Sequence, residues 1–212
     1  KWRENLQMVF DLGINHLSSY ALTVEPKTAL ANFINSGKYP PIDEALALEH
    51  FNILVEESKK QGFIQYEISN FGKENYFSKH NTAYWQGKPY LGIGPSAHSF
   101  NGTSRSWNVS NNALYLKSIA QNELSSESEI LSKNDQFNET IMTGLRTIWG
   151  VNLNTIETQF GNIFKTHLLK QAEKHIRQGT LEIVSTKKTS ILKINQKGLF
   201  LADGIAADLF VL

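Results

Sequence analysis

The chain has 212 residues, of which 41% are hydrophobic and 19% charged, as is usual for a globular protein with a substantial core. Its 21 Lys and Arg residues face 20 Asp and Glu residues, so no strong field indicates a polyanionic partner. The lack of cysteine excludes disulfides, a thiolate nucleophile and a cysteine-held iron–sulfur cluster from this chain. We find no signal-peptide pattern and no apolar run of the roughly 18 residues that span a membrane, so we expect a cytoplasmic protein.

Helix and strand signals alternate along the first third of the chain. The opening KWRENLQMVFDLG predicts an amphipathic helix that ends at Gly13, and because no capping residue introduces it we expect a piece of a longer protein. A strand is predicted in INHLSSYALTVEP (14–26), a helix over 43–61 and a further strand in FIQYEISNF (63–71). A strand, a helix and a strand with short connections favour a parallel βαβ unit.

Short strands are predicted in the central segment. YLGIG is typical of a short strand that runs into a Gly-Pro turn, while AHSF and SRSWNV flank NGT as a hairpin would. From about residue 125 the pattern becomes helical. Ser132 and Asp135 resemble a capping box in front of a first helix, and a short second helix is predicted from Asn154 to Gly161.

A third helix and a hairpin complete the pattern. Leu169, Ala172 and Ile176 form an apolar stripe before Gly179, LEIV and ILKI flank the polar STKKTS, and a last helix follows from about Ala202. Three helices followed by a two-stranded wing indicate a winged-helix-like domain. We therefore predict two domains, residues 1–128 and 129–212.

The stretch HNTAYW (80–85) contains a histidine beside two large aromatic residues. The imidazole of His80 could ligate haem iron, and Tyr84 and Trp85 offer apolar faces to a porphyrin. His80 and Tyr84 would share a face if the segment is helical. The alternative is a surface turn fixed by aromatic packing, in which His80 caps or hydrogen-bonds locally.

Three further groups of residues are candidates for function. Gly92 and Gly94 would let the backbone approach a ligand, although a tight turn with positive φ needs glycine equally. Glu67 and Ser69 would bind substrate or order a pocket at the end of a strand, or they are solvated positions. Finally, lysines and one arginine on the third helix and the wing match a DNA-binding layout, but the modest charge favours a solvated face: Lys165, Lys170, Lys174, Arg177, Lys187 and Lys188.

Three motifs in order, YEISNF, HNTAYW and YLGIGPSAHS, resemble the oxygen-independent coproporphyrinogen III oxidase family of radical SAM proteins. The H-N-x-x-Y-W element resembles its HemW-type haem-chaperone branch, and the resemblance covers nearly the whole chain. It implies an α/β plus α+β fold, with the C-terminal part of an incomplete radical SAM (β/α) barrel followed by a winged-helix-like domain.

The resemblance also implies cofactors and a function. His80, Asn81, Tyr84 and Trp85 would bind haem, with His80 on the iron. Ala21, His98 and the two glycines of GIG would line a pocket for S-adenosyl-L-methionine (SAM). The family holds a [4Fe–4S] cluster on a cysteine motif that this chain lacks, so we expect the chain itself to be inactive in radical chemistry. The implied role is haem binding and delivery to haem-accepting proteins; the alternatives are coproporphyrinogen III oxidation and, from another class, a nucleic-acid-binding module.

Overall fold

A computed structural model describes residues 1–212, which divide into two compact units, residues 1–78 and 79–212. The predicted domains, 1–128 and 129–212, stay a prediction. None of the helices is long and apolar enough to cross a membrane. The first unit contains three helices and three strands: α1 Trp2–Asp11, β1 His16–Ser18, α2 Ala29–Asn35, α3 Glu44–Lys60, β2 Ile64–Glu67 and β3 Asn70–Gly72.

The first unit is built on a small antiparallel sheet with strand order β1-β3-β2. Since β1 and β2 both pair antiparallel with β3, they run parallel to each other without being hydrogen-bonded neighbours. The two strands of the predicted parallel βαβ unit therefore run parallel, but β3 lies between them. The helices α1 and α3 bury their apolar faces with this sheet in one core: Leu6, Leu54, Val55, Phe63 and Phe71.

Two predicted strands are shorter than expected. The predicted strand 14–26 ends at Ser18, because its partner β3 provides only three paired positions, from Gly72 to Asn70. The predicted strand 63–71 is interrupted by a tight turn and becomes the β2–β3 hairpin. The Glu67 carboxylate closes this turn, since it accepts hydrogen bonds from the Ser69 backbone N–H at 3.1 Å and from Asn70 Nδ2 at 2.6 Å.

The second unit begins with a short helix and a second antiparallel sheet, in the order β4-β5-β6. The predicted hairpin around NGT is confirmed as β4 and β5. By contrast, the predicted YLGIG strand is reduced to a single bridge between Tyr90 and Phe100. The elements of this half of the unit are α4 Lys79–Trp85, β4 His98–Phe100, β5 Ser104–Asn108, α5 Asn112–Ala120 and β6 Ser126–Ile130.

Helices and a third sheet, ordered β7-β9-β8, form the remainder of the second unit. The capping box is confirmed: Ser132 Oγ accepts from the Asp135 backbone N–H at 3.1 Å while the Asp135 carboxylate accepts from the Ser132 backbone N–H at 2.9 Å. The elements are α6 Lys133–Leu145, β7 Val151–Asn152, α7 Leu153–Phe160, α8 Asn162–Arg177, β8 Leu181–Ser185, β9 Ser190–Ile194, a 3₁₀ turn Leu199–Leu201 and α9 Ala202–Ala207.

Two details of this region differ from the sequence-based prediction. The N-cap of α7 is Asn152 rather than Asn154, because the Asn152 side chain accepts hydrogen bonds from the next backbone N–H groups. The buried face of α8 is formed by Leu168, Ala172 and His175. Of the predicted stripe, Ala172 is buried, and Leu169 and Ile176 are partly buried against the same core. The core of this region is continuous: Phe137, Ile141, Leu145, Val151, Leu153, Ile156, Phe160, Leu168, Ala172, Leu181, Leu192, Ile205, Ala206 and Leu209.

Candidate functional site

The HNTAYW segment forms the helix α4. The chain leaves the helix through Gly87, which has a φ of +64° and whose backbone N–H donates to Tyr84 O at 3.0 Å. His80 is exposed and Tyr84 is 46% exposed, and their four-residue spacing puts them on one helical face. Asn81 and Trp85 are partly buried. The structure thus brings the four predicted haem residues together on one short helix, with the histidine and the tyrosine facing solvent.

An aromatic cluster continues from α4 into the second sheet. The Tyr84 ring meets the Trp85 ring edge-on, with centroids 5.8 Å apart, and lies 5.1 Å from the Tyr90 ring. Tyr90 in turn lies 6.0 Å from Phe100. The isolated bridge fixes that last contact, because Tyr90 and Phe100 exchange both backbone hydrogen bonds at 2.9 Å. Four aromatic rings therefore form a continuous surface that runs from the helix to β4.

Two arginines flank this aromatic surface. The Arg146 guanidinium lies over the Trp85 ring, 5.1 Å from its centroid, and Arg105 lies 5.9 Å from the Phe100 centroid. Burial raises the pKa of Tyr90, and the hydrogen bond that its hydroxyl shares as donor with the neighbouring Tyr84 raises it further, so the phenol stays protonated at neutral pH. The surface thus combines aromatic faces with two arginines, each of which is paired with a carboxylate, Arg105 with Glu139 and Arg146 with Asp203.

The GIGPSAHS segment forms a loop held by hydrogen bonds from its surroundings. The buried Asn108 donates through Nδ2 to Gly94 O at 2.9 Å and to Gly92 O at 3.3 Å. Gly94 N–H donates to the Tyr115 hydroxyl at 3.1 Å. Glycine is required at both positions: a Cβ on Gly92 would lie 2.1 Å from the His98 carbonyl oxygen, and Gly94 has a φ of +108°.

The loop geometry distinguishes, for one of the two glycines, between a tight turn and close approach to a ligand. Gly92 approaches protein backbone rather than open space, so the tight-turn interpretation accounts for this residue. At Gly94 a Cβ would meet nothing within 4 Å, although the positive φ still favours glycine. His98 is exposed, and its ring lies 6.0 Å from the Trp107 ring. Gly92, Gly94 and His98 therefore lie together, and their role in a SAM pocket stays a prediction.

The remaining predicted residues lie in the first unit. Ala21 is exposed in the segment between β1 and α2. Glu67 is only 2% exposed, so the interpretation of this residue as solvated is wrong. Its carboxylate closes the β2–β3 turn, and next to it the Tyr66 hydroxyl and His16 Nε2 are 2.8 Å apart. Burial lowers the pKa of His16, which favours a neutral imidazole beside that phenol.

The donor atoms of this chain do not fit an iron–sulfur cluster. The 212 residues include no cysteine, and no three His, Asp or Glu side chains are arranged to hold a metal ion. Haem is a different case, because a single imidazole and apolar faces are sufficient to hold it. His80 beside the aromatic surface meets that requirement.

Sequence reasoning missed the residues that complete each site. Tyr90, Phe100 and Arg146 join Trp85 and Tyr84 only through the tertiary fold, and no local spacing predicts such contacts. The hydrogen bonds of the GIG loop to β5 and α5 were missed for the same reason. An arginine directly after the capping-box helix was the one available signal, and it is weak by itself.

Comparison with known proteins agrees with the predicted resemblance. Residues 131–201 match the model of the HemN C-terminal domain. The Heme chaperone HemW of Bacillus subtilis (strain 168) is 29% identical, over 94% of this chain and 54% of that protein. The mitochondrial Radical S-adenosyl methionine domain-containing protein 1 of Dictyostelium discoideum is 33% identical, over 97% of this chain and 52% of that protein. The chain is therefore similar to HemW and radical SAM domain proteins over nearly its whole length, and to the HemN C-terminal domain over residues 131–201.

A solved structure supports the same placement at the level of fold. Coproporphyrinogen III oxidase (HemN) from Escherichia coli, described as a radical SAM enzyme, matches with a TM-score of 0.71 at 16% identity. The match covers 97% of this chain and 50% of that chain. The match shows the mixed α/β fold of this chain. The chain spans about half the length of the curated relatives cited above.

Proposed function

We propose that this chain belongs to a haem-handling protein and binds haem with His80 as the axial ligand. The binding surface would be helix α4 with the aromatic rings of Tyr84, Trp85, Tyr90 and Phe100, called the α4 surface below. The observation that carries the proposal is the shared face of His80 and Tyr84, both exposed, beside a continuous aromatic surface. Neutral imidazole is a good ligand for haem iron, and exposed aromatic faces bury porphyrin surface. Haem delivery, as by the relatives named haem chaperones, is the proposed role of the whole protein.

Haem titration of the 212-residue chain tests the site. The unaltered chain should give a Soret shift that saturates, and His80→Ala should change the ligation spectrum. His98→Ala is the matched control, because it removes another exposed histidine of the same unit and should leave the spectrum unchanged. An unchanged spectrum in His80→Ala would refute the ligand role and leave α4 as a packed surface helix.

Coproporphyrinogen III oxidation is the alternative function, favoured by the fold shared with the Escherichia coli enzyme. The two functions differ in chemistry, since a carrier needs a porphyrin surface whereas the oxidase needs SAM cleavage at a [4Fe–4S] cluster. We propose SAM contacts at Ala21, Gly92, Gly94 and His98, and inactivity of the chain alone in radical chemistry because it has no thiolate ligands. Supplied with iron, sulfide and SAM, it should show neither cluster absorbance nor SAM cleavage; reproducible cleavage would contradict this.

For the C-terminal region we propose a winged-helix-like domain that does not recognise DNA, and for the region before it the rear part of a radical SAM barrel. The winged-helix-like domain is supported by the order of its elements, which is that of a winged helix: α6, β7, α7, α8, β8 and β9. Two of its lysines are already paired, Lys165 with Glu157 and Lys174 with Asp208. Any association with DNA should therefore vanish as salt rises through physiological values. A salt-resistant, sequence-dependent complex would favour the nucleic-acid-binding alternative. A cytoplasmic location remains part of the proposal.

A further inference from the structure

Strand β6 is one edge of the second sheet, and its outer side is open. In the antiparallel ladder with β5, the Leu131 backbone N–H donates to Thr103 O at 3.0 Å. Because hydrogen-bonded positions alternate along such a ladder, Glu129 and Glu127 also direct their backbone groups toward β5. The residues between and beside them direct their backbone N–H and C=O groups outward: Ser126, Ser128 and Ile130.

No other strand covers this outer side. All five residues of β6 are exposed, and β6 pairs with β5 alone. The opposite edge of the same sheet is closed, since the bridge from Tyr90 to Phe100 occupies the outer side of β4. An open edge is a template for a further strand, and charged side chains limit what can pair there. The charges on β6 therefore decide which strand fits.

Two carboxylates, Glu127 and Glu129, lie on one face of β6. They are opposite Trp107 and Arg105 of β5, and Arg105 is already paired with Glu139 at 2.8 Å, so neither carboxylate forms an ion pair. On an added strand, the positions opposite these two glutamates would be non-hydrogen-bonded pairs, in which side chains come closest. Lysine or arginine at two alternate positions would thus meet both charges.

A pocket at the end of β6 has room for one of these basic side chains. Glu129 lines it together with the apolar side chains of Leu131, Met142 and Phe210. A lysine opposite Glu129 would start on the same face of the sheet. Its aliphatic stem can then lie along the apolar lining while its ammonium group meets the carboxylate.

A second copy of the chain fits this edge poorly. Two β6 strands paired antiparallel about Ser128 would place Glu127 opposite Glu129 of the other copy on both sides, and like charges directly opposite are destabilising. The edge strand β8 lacks the free charge, because its carboxylate Glu182 lies opposite Lys193 of β9. A basic partner is therefore specific to β6.

We propose that β6 is a docking edge for an extended segment of a partner protein, with basic residues at two alternate positions. The segment pairs antiparallel with the outer side of β6, and its basic side chains meet Glu127 and Glu129. An apolar residue lies opposite Ile130, which is 88% exposed. Strand addition of this kind takes affinity from main-chain hydrogen bonds and specificity from alternate side chains. It does not depend on the haem site and is tested without haem.

Two fluorescein-labelled, capped peptides test this edge: TIKTKTV and its matched control TIETETV. Paired antiparallel, the first places its lysines opposite Glu129 and Glu127 and its isoleucine opposite Ile130. Fluorescence anisotropy with the unaltered 212-residue chain should show about ten-fold tighter binding of the lysine peptide, the effect of two cross-strand charge pairs, and added salt should reduce this preference. Equal binding of both peptides, or no binding of the lysine peptide, would overturn the proposal and leave β6 as an edge protected by charge.

Ser128→Pro tests the main-chain contact. The Ser128 N–H points away from β5, so proline removes a donor of the open edge and leaves the ladder with β5 intact. The lysine peptide should bind about ten-fold more weakly to this variant, whereas Ser128→Ala, which keeps the N–H, should bind as the unaltered chain does. Equal binding by the two variants would refute strand addition, since the peptide would then meet only the charges.

Two further measurements leave the backbone unaltered. Amide hydrogen exchange at the three outward-facing positions of β6 should slow when the lysine peptide is bound, and unchanged exchange would contradict the proposal. Glu127→Gln combined with Glu129→Gln should abolish the preference for lysine over glutamate, while Glu182→Gln, which removes an exposed carboxylate from β8, should keep it. Self-association of the unaltered chain that Ser128→Pro abolishes would assign the edge to a second copy and overturn the basic partner.

Discussion

The α4 surface and the helical core of residues 131–212 use aromatic side chains in opposite ways. In the core, Phe137 is 0% exposed, and the rings of Phe160 and Phe164 lie 5.6 and 5.0 Å from it. On α4, Tyr84 contacts Tyr90 at a similar distance of 5.1 Å, yet it is 46% exposed. The same kind of ring contact thus stabilises the fold in one region, and in the other it leaves a flat apolar face exposed to solvent.

The largest effect is expected for Phe137→Ala. Removing a fully buried phenylalanine leaves a cavity among close-packed rings, which should lower the free energy of unfolding by about 3–5 kcal/mol. Denaturant unfolding measures this loss, and haem affinity per folded molecule should not change. Ile163→Ala is the matched control, because that side chain is 84% exposed and its loss should change stability by less than about 0.5 kcal/mol. A Phe137→Ala chain as stable as the unaltered one would break the comparison.

A second, smaller loss is expected for Gly92→Ala. The new Cβ would lie 2.1 Å from the His98 carbonyl oxygen, so backbone must shift at a cost of about 2 kcal/mol in unfolding free energy. Gly204→Ala provides the control: it lies within α9, a Cβ there meets nothing within 4 Å, and alanine favours the helix. Thermal unfolding should therefore move in opposite directions for the two variants. Equal melting temperatures would show that the loop yields easily.

The sequence predicted the starts of α3 and α6 well because their signals are local, whereas α2 and α5 were not predicted. The capping box at Ser132 and the acidic start and glycine end of α3 act within one turn, and both helices begin within a residue of the predicted position. The strands were predicted less well, because their length depends on a distant partner. β1 stops at Ser18 only because β3 is three residues long, and nothing between residues 14 and 26 encodes that limit.

Like the fold, the candidate site was predicted only in the part that depends on neighbouring residues in the sequence. His80, Asn81, Tyr84 and Trp85 could be named because they are contiguous and resemble a family motif, and the structure places them on one helix. The residues around them come from other elements, as Tyr90 and Arg146 do, and only the fold brings them together. The contacts between arginines and aromatic rings could not be predicted either, because a sequence shows a basic residue but not its distance from a ring.

Tyr84→Ala tests the exposed aromatic ring of α4, as Phe137→Ala tests a buried ring of the core. If its exposed ring contacts the porphyrin, haem affinity should fall by about 1 kcal/mol, roughly five-fold in Kd, with the ligation spectrum unchanged. The melting temperature should change little, because much of the ring is already in water. Haem titration and thermal unfolding of the same preparation check both expectations. A large loss of stability without a change in Kd would mean that Tyr84 belongs to the core after all.

The smallest effect on stability is expected at Asp208, which is half exposed at the C-terminal end of α9. Lys174 and then His175 hydrogen-bond this carboxylate, at 3.1 and 3.0 Å, and hold the pKa of Asp208 below its usual range. A lowered pKa in the folded state means that the carboxylate contributes stability above the ordinary pKa of an aspartate, about 3.9. That contribution is lost as the pH falls through the lowered folded-state value.

Asp208→Asn should therefore be less stable than the unaltered chain near neutral pH, and the difference should shrink in acid. Asparagine keeps the shape and can still accept a hydrogen bond from the nearly buried His175, so the variant removes charge rather than packing. The effect should be smaller than that of Tyr84→Ala on binding, because Asp208 is 50% exposed and solvent screens the pair with Lys174. Denaturant unfolding at neutral and acidic pH measures it. A difference that grows as the pH falls has the wrong sign for a stabilising carboxylate and would show that Asp208 is held by its geometry and not by its charge.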